Sequence, residues 1–119
     1  MLSGANNYFN NRLWTDEWDN STDGKKNAAL TMAQNQVDSL SVVNRMSTED
    51  YNKAVFEQAL FLLQLGPEDR QRLKMQSQGV ERISISGGVS EAYVIDGIAY
   101  CATVRQLIKK YKFQVGELV

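Results

Sequence analysis

A mainly helical domain is the fold class this sequence predicts: a small bundle of four to five helices, one β-hairpin at about residues 80–95, and an extended C-terminal tail. Three observations carry that reading. Apolar residues recur at helical spacing through most of the first 65 positions. The period then switches to alternation on either side of Gly87-Gly88. Helical spacing returns between Ile98 and Tyr111. Residues 1–111 read as one domain and residues 112–119 as its tail. A chain of 119 residues suits a single core, and a monomer of that size buries roughly two-thirds of the surface its unfolded chain exposes.

The first helix is expected from Ala5 to about Trp18. Trp14 and Trp18 are four apart, so on a continuous helix they share a face. Asn6, Asn7, Asn10 and Asn11 weaken this segment, because short amides compete for backbone hydrogen bonds. A turn follows over residues 19–24, where Ser21, Thr22 and Asp23 are candidate N-caps. The second helix should run from about Lys25 to Leu40, with Ala29, Ala33, Val37 and Leu40 as a narrow apolar stripe.

The third helix has the clearest start. Ser47 is a candidate N-cap with Asp50 at the third helical position, and Met46 and Tyr51 are placed to form a hydrophobic staple. The helix then carries Ala54, Val55, Phe56, Ala59, Leu60, Phe61, Leu62, Leu63 and Leu65, apolar nearly all round. Such a helix wants cover on several sides: it is the centre of the monomer, or neighbouring subunits cover part of it. Gly66 and Pro67 stop it. A short charged helix over residues 68–76 can follow.

From Val80 the pattern alternates. Ile83 and Ile85 interleave with Arg82, Ser84 and Ser86, and after Gly87-Gly88 a second strand is expected over residues 89–95. The register stays open at this level. Asp96 is read as the cap of a last helix with Ile98, Cys101, Val104, Leu107, Ile108 and Tyr111 on its apolar side. Lys109, Lys110 and Lys112 gather where positive charge complements the helix dipole.

Composition narrows the chemistry. The chain has no histidine and one cysteine, Cys101, so an intrachain disulfide and the common zinc ligand sets fail. Imidazole catalysis fails with them. Cys101 lies on an apolar face with no base to activate it and reads as a buried filler. The run Asp19-Asn20-Ser21-Thr22-Asp23-Gly24 mimics the opening of a calcium loop, but the twelfth position, which needs a bidentate glutamate, is Leu30. It reads as a capped turn. Gly87-Gly88 lacks the spacing of a phosphate loop. No cofactor, metal or catalytic residue is assigned, and the expectation is that the chain is not an enzyme.

No stretch approaches the roughly 18 apolar residues of a membrane span, and residues 1–11 contain neither lysine nor arginine, unlike a signal peptide. Production in the cytoplasm is expected. The formal net charge of −1 hides an asymmetry: residues 1–69 hold five basic and ten acidic side chains, residues 70–119 eight and four. Such polarity suits head-to-tail association of copies, or equally two solvated faces of a monomer. The basic and aromatic cluster of Arg105, Lys109, Lys110, Tyr111, Lys112 and Phe113 is open to single-stranded DNA binding, although a sequence pI near 5.4 disfavours it.

The order of several short motifs resembles one family. Tyr8-Phe9-x-x-Arg12-Leu13, Trp18-Asp19, Ala28-Ala29-Leu30-x-x-Ala33 and Asp38-x-Leu40 are similar to the N-terminal half of tailed-phage head–tail connector proteins, also called head-completion or adaptor proteins. Gly79-Val80, residues 83–87, Val89-Ser90 and Tyr93 resemble their central hairpin, and Leu107-Ile108-Lys109-Lys110-Tyr111 their final helix. The segment between the second and third helices is shorter here than in many relatives, with residues 41–47 in place of a loop containing Trp, Gly and Pro-Arg.

The resemblance implies a structural virion protein, made in the host cytoplasm and located at the virion neck. Copies would form a homo-oligomeric ring, a dodecamer, below the portal protein. The ring would extend the channel through which genomic DNA passes without sequence-specific binding, and would offer a surface to a stopper or tail-completion protein, with no membrane involved. Asp16, Glu17 and Asp19 of one copy are expected to approach Arg105, Lys109 and Lys110 of the next. The tail residues Lys112, Phe113, Gln114, Val115, Gly116, Glu117, Leu118 and Val119 are expected to dock on the portal. Phe113 and Val115 would lie on one side of an extended strand. A DNA-binding accessory protein and a tail-completion protein on a related scaffold are the alternatives.

Overall fold

The computed structural model describes residues 1–66, 82–84, 91–95 and 97–114. Among these residues the α-helices are α1 (Leu2–Asn10), α2 (Asp16–Asp19), α3 (Asp23–Asp38), α4 (Thr48–Gln64) and α5 (Ala102–Gln114), with a 3-10 turn at Val43–Arg45. Three short strands, β1 (Arg82–Ser84), β2 (Glu91–Ile95) and β3 (Ile98–Tyr100), form one antiparallel sheet in that order. The fold is therefore mainly helical with a hairpin, as the periodicity predicts. A third strand is added to it.

The start of the chain differs from the single helix expected over residues 5–18. α1 buries Ala5 and Phe9 and then stops, with the Arg12 amide bonded to the Phe9 carbonyl at 3.1 Å. The chain turns through Trp14, whose φ of 60° lies in the left-handed region. α2 begins only at Asp16. Trp14 and Trp18 consequently part company: Trp14 is 80% exposed and Trp18 is 1% exposed. The break lets Trp18 fold back on α1, where its ring lies 4.7 Å from that of Phe9 and its indole N–H donates to Asn6 Oδ1 at 3.0 Å. A straight helix would have carried it past that contact.

Of the three candidate caps, Thr22 is the one used. Its hydroxyl accepts from the Lys25 amide at 3.2 Å and opens α3 two residues before the expected start. Ala29, Ala33 and Val37 are buried, and Leu40 follows them into the core from just beyond the helix. Ser47 caps α4 as predicted, accepting from the Asp50 amide at 3.1 Å, and Met46 and Tyr51 both pack against the core.

α4 is the centre of the molecule. Every residue from Ala54 to Phe61 is buried, Glu57 and Gln58 included. Such a run requires cover on all sides, and α3, α5 and α2 all pack against it. Its last turn is different, because Leu62, Leu63 and Leu65 are only partly buried.

The sheet resolves the register that alternation left open: Ile83 stands opposite Ala92, and Tyr93 opposite both Arg82 and Tyr100. Val94 and Ala99 are buried with Phe61 in a small second core. Gly97, with φ of 81°, turns the chain into β3. Asp96 is thus not the cap of the last helix, which starts six positions later at Ala102, and Ile98 lies on a strand. An Asp-Gly pair favours a tight hairpin because both central positions tolerate positive φ. The pairing of β2 with β3 takes up the residues that such a cap would have opened into helix.

α5 buries Val104, Leu107 and Tyr111 and continues to Gln114. Lys112, Phe113 and Gln114 are therefore helical in backbone, not the start of an extended tail, because nothing in that stretch breaks a helix before Gly116. Residues 115–119, the short helix expected over residues 68–76 and the Gly87-Gly88 turn lie outside the described residues.

Candidate assembly surface

The residues expected at a subunit interface fall on two elements that both flank α4. On α2, Asp16 and Asp19 are exposed and Glu17 is half-buried; Asp19 also accepts from the Thr15 hydroxyl at 3.1 Å. On α5, Lys109 is exposed and Arg105 is half-buried. Lys110 is engaged within its own subunit, its ammonium 2.9 Å from Asp50 Oδ2. The same carboxylate accepts the Tyr111 hydroxyl at 2.5 Å. These donors, Lys110 before Tyr111, hold the Asp50 carboxyl below its ordinary range. The basic cluster thus keeps one lysine fewer for an external partner. Lys112 is exposed, and Phe113 and Gln114 follow it on the helix.

Sequence reasoning passed over a buried ionic cluster. The Arg12 guanidinium meets Glu57 through two bonds, Nε to Oε2 at 2.8 Å and Nη2 to Oε1 at 3.0 Å. The Tyr8 hydroxyl donates to the same Oε2 at 2.5 Å. Burial first, and then this bond, raise the Tyr8 hydroxyl well above its ordinary value, so it remains a donor. The remaining edge of Arg12 donates from Nη1 to the Leu13 carbonyl at 2.6 Å. A continuous path therefore runs from the central helix through Arg12 to the loop carrying Leu13 and Trp14. The hint in the sequence was the polar pair Glu57-Gln58 inside a largely apolar run.

Gln58, with no exposed surface, is the second such hub. Its Nε2 donates to Gln36 Oε1 and to the Ala99 carbonyl, both at 2.8 Å, and its Oε1 accepts from the Cys101 amide at 3.0 Å. It ties α3, β3 and the start of α5 to the centre of the fold. Cys101 packs beside this junction, and burial pushes its thiol up to about 12, an environment that protonates sulfur and does not activate it.

A half-open apolar groove of about 540 Å³ lies between α3, the end of α4 and β3. Ala28, Met32, Leu62, Leu63 and Ile98 line it, with Lys25 as the one cation among its described lining residues. Elsewhere on the surface Leu13 is 71% and Trp14 80% exposed. Among the described residues no group of acidic and cysteine side chains is arranged to hold a metal, and no helix is long and apolar enough to cross a membrane.

No family model matches the chain, and no curated protein or solved structure does so either.

Proposed function

We propose that this chain is a structural subunit of a tailed-phage neck, a head–tail connector whose copies form a dodecameric ring beneath the portal protein. One observation carries the reading: among the described residues, many of those on which the family resemblance rests occupy framework positions. Phe9, Trp18, Ala29, Leu30, Ala33 and Leu40 are buried in one core, and Tyr8 and Arg12 close together on Glu57. The element order, helices followed by an antiparallel hairpin and a final helix, is also the order the resemblance implies.

In this reading the ring extends the DNA channel at the virion neck without reading base sequence, and its far side receives a stopper or tail-completion protein. Each contact between copies joins two different patches, as a closed ring requires. The opposite charge balance of the two halves of the chain suits that arrangement. The last helical turn, Lys112 to Gln114, and the five residues beyond it are the segment offered to the portal.

Electron cryo-microscopy tests the proposal directly. The protein is added to DNA-filled, portal-bearing heads of the phage that encodes it, and a ring of density below the portal is expected. A chain ending at Gln114 should fold but attach less. Heads without added density would overturn the connector reading, and steep salt-dependent oligonucleotide binding in their place would favour the DNA-binding one.

A further inference from the structure

We propose that Leu13 and Trp14 of one copy insert into the groove between α3, the end of α4 and β3 of a second copy of this chain, with Asp16 and Glu17 of the first beside Lys25 of the second. The contact stands on surface chemistry and does not rest on the connector reading.

The knob is built and held. A tryptophan at φ 60° occupies a conformation that bulky residues rarely adopt, and such outliers persist where the surrounding structure holds them and gather at functional positions. Here the holding group is visible. Arg12 is anchored to buried Glu57 by two bonds and grips the Leu13 carbonyl with its free nitrogen. The fold gains little from Trp14 in return, since four-fifths of its surface is in water. Leu13 beside it is nearly as exposed, which makes the pair a contiguous apolar projection. Fixing such a projection before binding lowers the ordering cost of association, and tryptophan is the residue most enriched among energetically dominant interface contacts.

The groove complements it in size and charge. Its volume of about 540 Å³ has room for one indole and one leucine side chain. Its apolar walls come from Ala28, Met32, the last turn of α4 and Ile98. Exposed Lys25 lines the groove and is the cation offered to Asp16 and Glu17, which follow Trp14 by two and three residues. Those carboxylates thereby meet Lys25, not Lys110, which Asp50 already holds. Knob and groove are different patches, so the contact is heterologous and propagates head to tail.

Sedimentation velocity on the full chain tests this with two variants chosen at exposed positions, Trp14→Ala and Met32→Glu, each checked for folding by circular dichroism. The wild type should self-associate with rising concentration, and each variant should weaken association by about 30-fold, the size of a dominant interface truncation. An equimolar mixture should form a heterodimer and grow no further, because it combines the intact groove of Trp14→Ala with the intact knob of Met32→Glu. A wild type that stays monomeric to about 1 mM, a Trp14→Ala variant that associates normally, or a mixture that does not recover dimer would each overturn the proposal. So would a Met32→Glu variant that loses stability but not association, since the groove would then be filled by its own chain. A monomeric wild type would not touch the portal-bound ring, which the microscopy above reads separately.

Discussion

Arg12 and Glu57, 45 residues apart, face each other in a two-bond pair that leaves Glu57 6% exposed and the Arg12 side chain 35% exposed. This pair joins the first loop to the central helix. A carboxylate so placed is tolerated because both its oxygens accept hydrogen bonds, Oε1 from Arg12 and Oε2 from Arg12 and Tyr8. Removing one partner therefore costs more than removing both.

Arg12→Ala should destabilise the fold by about 3 kcal/mol, the low end for breaking a buried pair because Arg12 keeps part of its side chain in water. The double variant Arg12→Met/Glu57→Met should lose less than Arg12→Ala alone. Urea denaturation of the wild type and the two variants checks the order.

Gln58→Leu keeps side-chain volume but strands the Ala99 carbonyl and the Cys101 amide. Each buried orphan costs roughly 1–3 kcal/mol, so a loss of at least about 2 kcal/mol is expected. Hydrogen exchange at the Cys101 amide should accelerate before exchange in the middle of α4 does. Unchanged protection at Cys101 would show that Gln58 does not hold the junction.

Stability should fall at both ends of the pH scale for separate reasons. Asp50 is held below its ordinary value by Lys110 and Tyr111. Its contribution is present above the unfolded carboxylate range and is lost as pH drops through the lowered folded value. Lys110→Ala and Tyr111→Phe should move the acid transition upward, by a small amount because the ion pair stands in water.

At the alkaline end, folded Cys101 keeps its proton to about 12, whereas an unfolded thiol loses it near ~8.5. Between those values the unfolded state binds fewer protons, so stability declines as pH rises. The slope is at most about 1.4 kcal/mol per pH unit, the limit for a single proton. Tyr8, also raised, adds a decline of the same sign at higher pH. Cys101→Ala should flatten the fall between about pH 9 and 11 in urea titrations.

The two ends of α4 should respond differently to truncation. Leu60 is 2% exposed, so Leu60→Ala should cost about 2–5 kcal/mol, the range for a filled core site. Leu63→Ala, at the open groove, should cost clearly less. Thermal melts of the two variants give the comparison.

What could be read directly from the chain was what short-range physics dictates. Ser47 three residues before Asp50 specifies a cap regardless of what surrounds it. The stripe of Ala29, Ala33 and Val37 specifies a buried helix face, and alternation around Ile83 and Tyr93 specifies strands. Where two local signals competed, neighbours could not decide between them. Asp96 suits a cap as well as a turn, and the hairpin prevailed because β3 gains partners on β2 and Tyr100 gains a place in the core. Trp14 and Trp18 looked alike at helical spacing. Only tertiary structure separated them, by offering Phe9 and Asn6 to one and solvent to the other. The pairings of Arg12 with Glu57, of Gln58 with Ala99 and Cys101, and of α3 with Leu63 and Ile98 around one groove join residues far apart in the chain. Such partners are chosen by the geometry of packed helices, in which a buried polar group must find whatever acceptor or donor the fold brings to it, and no local pattern encodes that choice.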